Sequence, residues 1–173
     1  MGNIKPPKPV ALFSSIIYNS EEPLFEALKT LEKNIGAIED KTHVMLFNHT
    51  GYYEKEMGSE LKRIFILFNT LINRESIVDI KLMTNDMEKH LSINEKRQVN
   101  IDPGYISLEN IILATTKNYT HRIYLGSGIY ADLTLIFKKG TYTPLEWTYP
   151  DYASNDIISI FNNWRNLYKR KLI

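Results

Sequence analysis

The chain has 173 residues, of which 43% are hydrophobic and 24% charged, and its formal net charge is +1. That is one domain's length in an ordinary globular composition; it excludes a disordered chain and leaves no global field to recruit nucleic acid or a membrane surface. The absence of cysteine excludes disulfides, thiolate metal sites and a cysteine nucleophile.

The entry MGNIKPPKPVALF places Pro6, Pro7 and Pro9 where a secretory signal needs helix, and no apolar run reaches the ~18–20 residues of a membrane span. The expectation is a soluble, cytoplasmic protein with no membrane partner. Val10 to Tyr18 reads as a strand covered on both faces. Ser20 then caps a helix with Glu21 and Glu22 in its first turn, Leu24, Leu28, Leu31 and Ile35 at helical spacing, and Gly36 as its stop. Strand signals follow at Ala37 to Glu39 and His43 to His49. A second helix is expected from about Ser59, with Leu61, Ile64, Phe65, Phe68 and Leu71 on one face. Ile77 to Met83 reads as a strand, and Thr84 caps a short helix through Leu91.

The second half reads as strands between glycine and proline turns. Val99 to Ile101 enters a turn at Asp102-Pro103-Gly104, and Ile111 to Thr116 is a further strand. His121 to Leu125 and Ile129 to Phe137 flank Gly126-Ser127-Gly128 as a hairpin. A three-residue loop there pairs Leu125 with Ile129, Tyr124 with Tyr130 and Arg122 with Asp132. The turn Lys138-Lys139-Gly140 leads to a strand from Tyr142 to Tyr149, an edge strand because of Pro144. A C-terminal helix capped by Ser154 or Asn155 carries Ile157, Ile160, Phe161, Trp164, Leu167 and Tyr168 as its buried stripe. The predicted fold is α+β: a ferredoxin-like βαββαβ N-terminal half, continued by an antiparallel β-hairpin region and a C-terminal amphipathic helix. It forms a single domain over 1–173, divisible into sub-lobes 9–92 and 97–173.

Polar residues concentrate between Arg97 and Leu135, where Asn100, Asp102, Thr115, Thr116, Lys117, His121, Arg122 and Asp132 alternate with short apolar runs. On the hairpin, Arg122 opposite Asp132 is either a solvent-facing ion pair or an arginine held by Asp132 to grip a phosphate or carboxylate. Thr116 and Lys117 close a strand just before a loop, as an anion site would have them, and His121 is a general acid or base within reach. Asp102 before Pro-Gly either caps its own turn or serves catalysis. The segment 48–58 lies between a buried strand and a helix and brings Tyr52, Tyr53, Glu54 and Glu56 to a strand end, where sites are often grafted. The histidines are scattered, so a metal would need carboxylates gathered from Glu54, Glu56, Asp102, Asp132 and Asp151; Mg2+ suits such oxygen ligands.

The segments YYEKEMG (52–58), IKLMTN (80–85), VNIDPGY (99–105), LATTK (113–117), HRIYL (121–125), GIYADLTL (128–135) and WTYPDY (147–152) resemble an uncharacterised prokaryotic family, a domain of unknown function. The resemblance spans essentially the whole chain. Some members carry the label "GTP-binding protein", yet this chain has no Gly-x-x-x-x-Gly-Lys-Ser/Thr loop. Its Thr116-Lys117-Asn118-Tyr119 departs from a guanine-reading Thr-Lys-x-Asp at Tyr119. It also departs from the family pattern at His49, where relatives often have an aromatic.

The functional expectation is a polar cleft for a small anionic ligand, phosphorylated or nucleotide-like. Lys81, Lys117 and Arg122 neutralise the anion, helped by Asn85 and Thr116, while Tyr52, Tyr53, Tyr124 and Tyr130 line the pocket. Asp102, Asp132 and Glu56 orient the ligand or hold Mg2+, and His121, Asp102 and Glu56 are the catalytic candidates. The alternative is a non-enzymatic module that docks RNA or a protein partner through exposed aromatics and the basic end of the last helix. A third reading, an enzyme acting on a metal-bound substrate, requires several carboxylates within coordination distance of one another.

Overall fold

A computed structural model describes residues 2–47 and 53–173. Its strands form a nine-stranded antiparallel sheet, with helices packed on both faces. The main path runs β2 (Ile38–Lys41), β4 (Lys62–Ile72), β1 (Val10–Tyr18), β5 (Val99–Ile106), β6 (Asn110–Thr115), β8 (Ile129–Lys138), β7 (Arg122–Gly126). The short strands β3 (Met45–Leu46) and β9 (Thr141–Pro144) pair with β4 and β8, beside β2 and β7 respectively.

β1 is buried over its whole length because both of its faces are covered. Leu12, Ile16 and Tyr18 face α1 (Glu21–Asn34) and α3 (Ile77–His90), whereas Ala11 and Phe13 face α4 (Asn155–Lys171). The central strand β4 divides in the same way, with Ile64, Ile66 and Phe68 on one side and Phe65 and Leu67 on the other. The helix expected over this segment is therefore a strand. A run that is apolar on both faces also contains residues at helical spacing, and the ladder with β1 from Tyr18–Lys62 to Val10–Ile72 decides the matter.

The strand and short helix expected over 77–91 are one continuous helix, α3. Thr84 does not cap it; its hydroxyl lies inside the helix and donates to the Lys81 carbonyl at 3.0 Å. The Asp102-Pro103-Gly104 turn is likewise absent, because β5 runs straight through it. Gly104 is needed there for space rather than for a turn: a Cβ would lie 2.5 Å from the Ile112 carbonyl oxygen and 2.6 Å from the Phe13 ring. α1 begins after Ser20 as expected, although the Ser20 hydroxyl donates to Asn19 Oδ1 rather than capping the helix. Of His43 to His49, only Met45–Leu46 is strand among the described residues, and 48–52 lie outside them. α2 (Glu54–Met57) is a single turn.

The β7–β8 hairpin has the predicted Arg122–Asp132 and Tyr124–Tyr130 pairs. Its loop is one residue shorter than expected: Gly126, not Leu125, pairs with Ile129, and the turn is made by Ser127 (φ 50°) and Gly128 (φ 78°). Both angles are positive, as a two-residue type I′ turn requires. β9 ends at Pro144, short of the expected Tyr149. The next residues fill the gap between β7 and β9 along β8: Trp147 Nε1 donates to the Leu133 carbonyl at 2.7 Å and the Thr148 hydroxyl to the Thr134 carbonyl at 2.6 Å. α4 is capped by Ser154, and its stripe of Ile157, Phe161, Trp164 and Tyr168 is buried, with Ile160 and Leu167 at its margin. Among the described residues no helix is long and apolar enough to cross a membrane.

Candidate functional site

β5 and β6 pair only where Gly104–Ile106 meets Ile111–Leu113. Beyond that point the strands diverge, and one edge of β5 faces side chains of α3 instead of a strand. The Ile101 N–H donates to Glu88 Oε1 at 2.6 Å, and Lys81 Nζ donates to the Ile101 carbonyl at 3.0 Å. Pro103, two residues on, turns its nitrogen to the same open side, where no ladder bond is lost. Lys81, Asn85 and Glu88 recur at i, i+4 and i+7 on one face of α3 and form a wall of a cleft of about 560 Å3.

Five cationic side chains, Arg63, Lys81, Arg97, Lys117 and Arg122, and four carboxylates, Glu88, Asp102, Asp132 and Asp151, line this cleft. On the α3 side Arg97 grips Glu56 with both prongs, at 2.7 and 2.6 Å, and also donates to Glu88 (3.2 Å) and Asn100 (2.9 Å). Asn100 passes the chain to Asp102 Oδ2 at 2.7 Å, while Lys81 holds Asp102 Oδ1 at 3.1 Å. Burial pushes the Asp102 carboxyl up, but the Lys81 ammonium, the Asn100 amide and Arg63 together hold it below the usual range. Glu88 goes the other way: burial, aided by the Asp102 charge, raises it against Lys81, the Ile101 N–H and Arg97. Arg97 lowers Glu56. The Tyr53 hydroxyl is driven up by burial and by the Asp102 charge. The two neighbouring carboxyls, Asp102 and Glu88, are thus pushed in opposite directions.

At the cleft floor Arg63 is 7% exposed. Its guanidinium packs among the rings of Phe47, Phe65 and Tyr152 at 4.8, 5.0 and 5.3 Å, donates through Nε to Ser15 Oγ at 2.8 Å, and pairs with Asp151 through Nη1. The opposite wall is the start of the hairpin. Arg122 donates to Asp132 Oδ2 (2.8 Å), to the Lys117 carbonyl (2.9 Å) and to the Tyr149 hydroxyl (3.0 Å). The Arg122 and Asp132 side chains are only 8% and 5% exposed, so the pair is not solvent-facing.

Of the residues expected to form the site, Tyr53, Lys81, Asn85, Asp102, Thr116, Lys117, Arg122 and Asp132 line the one cleft. Glu56 stands behind Arg97 as its partner, outside the lining. His121 is also outside it: Nε2 lies 3.2 Å from Asp132 Oδ2, and the ring stacks on Trp147 at 4.9 Å. It shares Asp132 with Arg122 and is covered by the indole. Tyr124 and Tyr130 pair as expected, ring to ring at 5.2 Å, but they sit nearer the hairpin tip and do not line the cleft. Tyr52 and the side chain of Glu54 lie outside the described residues. Among the described residues no three His, Asp or Glu side chains are grouped to hold a metal ion, so Asp102, Asp132 and Asp151 share the cleft without forming a common coordination set.

Arg63 and Glu88 line the cleft without any local signal that marks them as site residues, and nothing in the sequence gives Arg97 or Asn100 a role. Arg63 lies inside an apolar run whose spacing also suits a helix. Glu88 and Arg97 carry only the weak signal of charge, one on the buried face of α3 and the other half-buried just before β5. No curated protein and no solved structure gives a significant match to this chain. A family model, Domain of unknown function (DUF4416), matches residues 8–168, and the chain therefore belongs to that family.

Proposed function

We propose that this protein binds a small anionic ligand, phosphorylated or nucleotide-like, in the cleft between β5 and β6. The observation that carries the reading is the convergence of five cationic side chains from separate elements on one cavity of about 560 Å3, a volume in the range of small-molecule sites. Tyr53 and Tyr149 offer flat surfaces to a ring, and Asn85 and Thr116 offer hydrogen bonds that would fix its orientation. Asp102 beside Lys81 is the candidate for moving a proton if the ligand is also a substrate. We also read β1-α1-β2-β4-α3-β5 as a ferredoxin-like unit. In support, these strands stand in the order β2-β4-β1-β5, alternate in direction, and carry α1 and α3 on one face.

The test is a thermal-shift panel of nucleotides, sugar phosphates and small carboxylates, each with and without Mg2+. A ligand at ~100 times its dissociation constant adds about 2.7 kcal/mol, which for a chain of this length raises Tm by roughly 5–10 °C. The shift should vanish in Lys117→Ala, and a panel without any shift would refute the reading.

A second reading, an interaction module for RNA or protein, rests on the exposed Tyr119, Ile123, Tyr124, Leu125 and Trp147 around the β7 edge. At the basic helix end Lys171 is engaged by Glu39 and Asn69, while Lys169 and Arg170 are exposed. Single-stranded RNA retention that falls steeply with salt would favour it.

A further inference from the structure

Arg122 and Arg97 look like the natural anion grips, but their hydrogen bonds say otherwise. Arg97 places four donor contacts on Glu56, Glu88 and Asn100. Arg122 ties three parts of the chain together through Asp132, the Lys117 carbonyl and Tyr149. Both are clasps. Arg63 differs: of its five N–H donors, only Nε and one on Nη1 have partners among the described residues, Ser15 and Asp151. Rings of Phe47, Phe65 and Tyr152 surround the guanidinium, which leaves its edge as the approach. A cation this buried requires a counter-charge. That charge comes from Asp151, in the segment between β9 and α4, and not from a neighbouring strand.

We propose that Arg63 is the primary oxyanion-binding residue of the cleft, and that Asp151 is an internal occupant standing in for the ligand's phosphoryl group until the ligand displaces it. This rests on the anionic-ligand reading above and names the group that anchors the ligand. The phosphoryl class follows from the second cation nearby. Ser15, which holds Arg63, and Asp102, which holds Lys81, are directly opposite each other on β1 and β5. Lys81 has three donors and, among the described residues, spends two, on Ile101 and Asp102. A tetrahedral group has oxygens in more than one plane, so it meets both the fork of Arg63 and the remaining donor of Lys81, which a flat carboxylate cannot do as well.

The proposal predicts a gain of binding on removing a carboxylate. Asp151→Asn, titrated with inorganic phosphate at constant ionic strength, should bind at least about tenfold more tightly than the unsubstituted protein, equivalent to ~1.4 kcal/mol. Adding Arg63→Lys to that variant should abolish the gain. Asp132→Asn, which frees a clasp instead, should produce none. If Asp151→Asn is too unstable to purify folded, circular dichroism after refolding with and without phosphate replaces the titration, and phosphate should restore the native spectrum. Equal phosphate affinity in the two proteins, a gain that survives Arg63→Lys, or refolding indifferent to phosphate would each overturn the assignment. Ligands found by the panel that still bind Asp151→Asn with unchanged affinity would overturn it while leaving the cleft reading intact.

Discussion

Replacing Lys81 by methionine tests whether α3 holds the open edge of β5 through charge. The lysine is 5% exposed and its ammonium bonds both the Ile101 carbonyl and Asp102. Methionine keeps the stem and leaves Asp102 with the Asn100 amide and the more distant Arg63 charge. Breaking a fully buried pair costs ~3–5 kcal/mol. The Asp102 side chain is 30% exposed to the cleft, so solvent screening lowers the expectation to about 2–3 kcal/mol at pH 7. For a chain of this length that is a Tm fall of roughly 4–12 °C. The pH dependence gives the sharper readout. In the unsubstituted protein Asp102 is held below the usual carboxylate range, so its ion pair stabilises the fold above the unfolded pKa of ~3.9 and that contribution is lost as pH falls through the lower, folded value. Without Lys81, burial dominates and raises the folded value, so protonation then favours the fold. The penalty of Lys81→Met should therefore be largest near pH 7 and shrink toward about pH 4. Urea midpoints at the two pH values measure it. An equal loss at both would mean that the lysine acts by packing and that the electrostatic account is wrong.

Gly104→Ala should lower stability by about 1–3 kcal/mol in urea unfolding, since its Cβ meets backbone at 2.5 Å; a tolerated substitution would argue against the straight β5. Ser127→Asn should raise Tm by roughly 1–2 °C, because asparagine accepts the positive φ of 50° better than serine, and no gain would speak against the two-residue turn. Phe161→Ala, at a 0% exposed position where α4 meets Phe13 and Phe65, should cost about 3–5 kcal/mol. A loss under ~1 kcal/mol would show that α4 does not seal that face of the sheet.

Local chemistry is enough to read β1, α1, the Arg122–Asp132 and Tyr124–Tyr130 pairs of the hairpin, and α4. Each has its signal within a few residues: an apolar run, a helical stripe, or a glycine turn between alternating strands. Much of the lining of the candidate cleft is legible for the same reason, because Thr116, Lys117, Arg122 and Asp132 fall at neighbouring strand ends that antiparallel pairing brings together. The errors fell where partners are distant in sequence. β4 is apolar on both sides and shows no alternation until β1 and two helical layers are in place. α3 looked broken because its buried face carries Lys81, Thr84 and Glu88. Lys81 and Glu88 are buried there because β5 parts from β6 and leaves backbone groups that only side chains can satisfy. The same parting makes the cleft, which Arg63 from β4 and Asp151 from the segment before α4 also line. Periodicity reports which face of an element is covered. It carries no information about a gap between two strands, because that gap exists only once the sheet has formed.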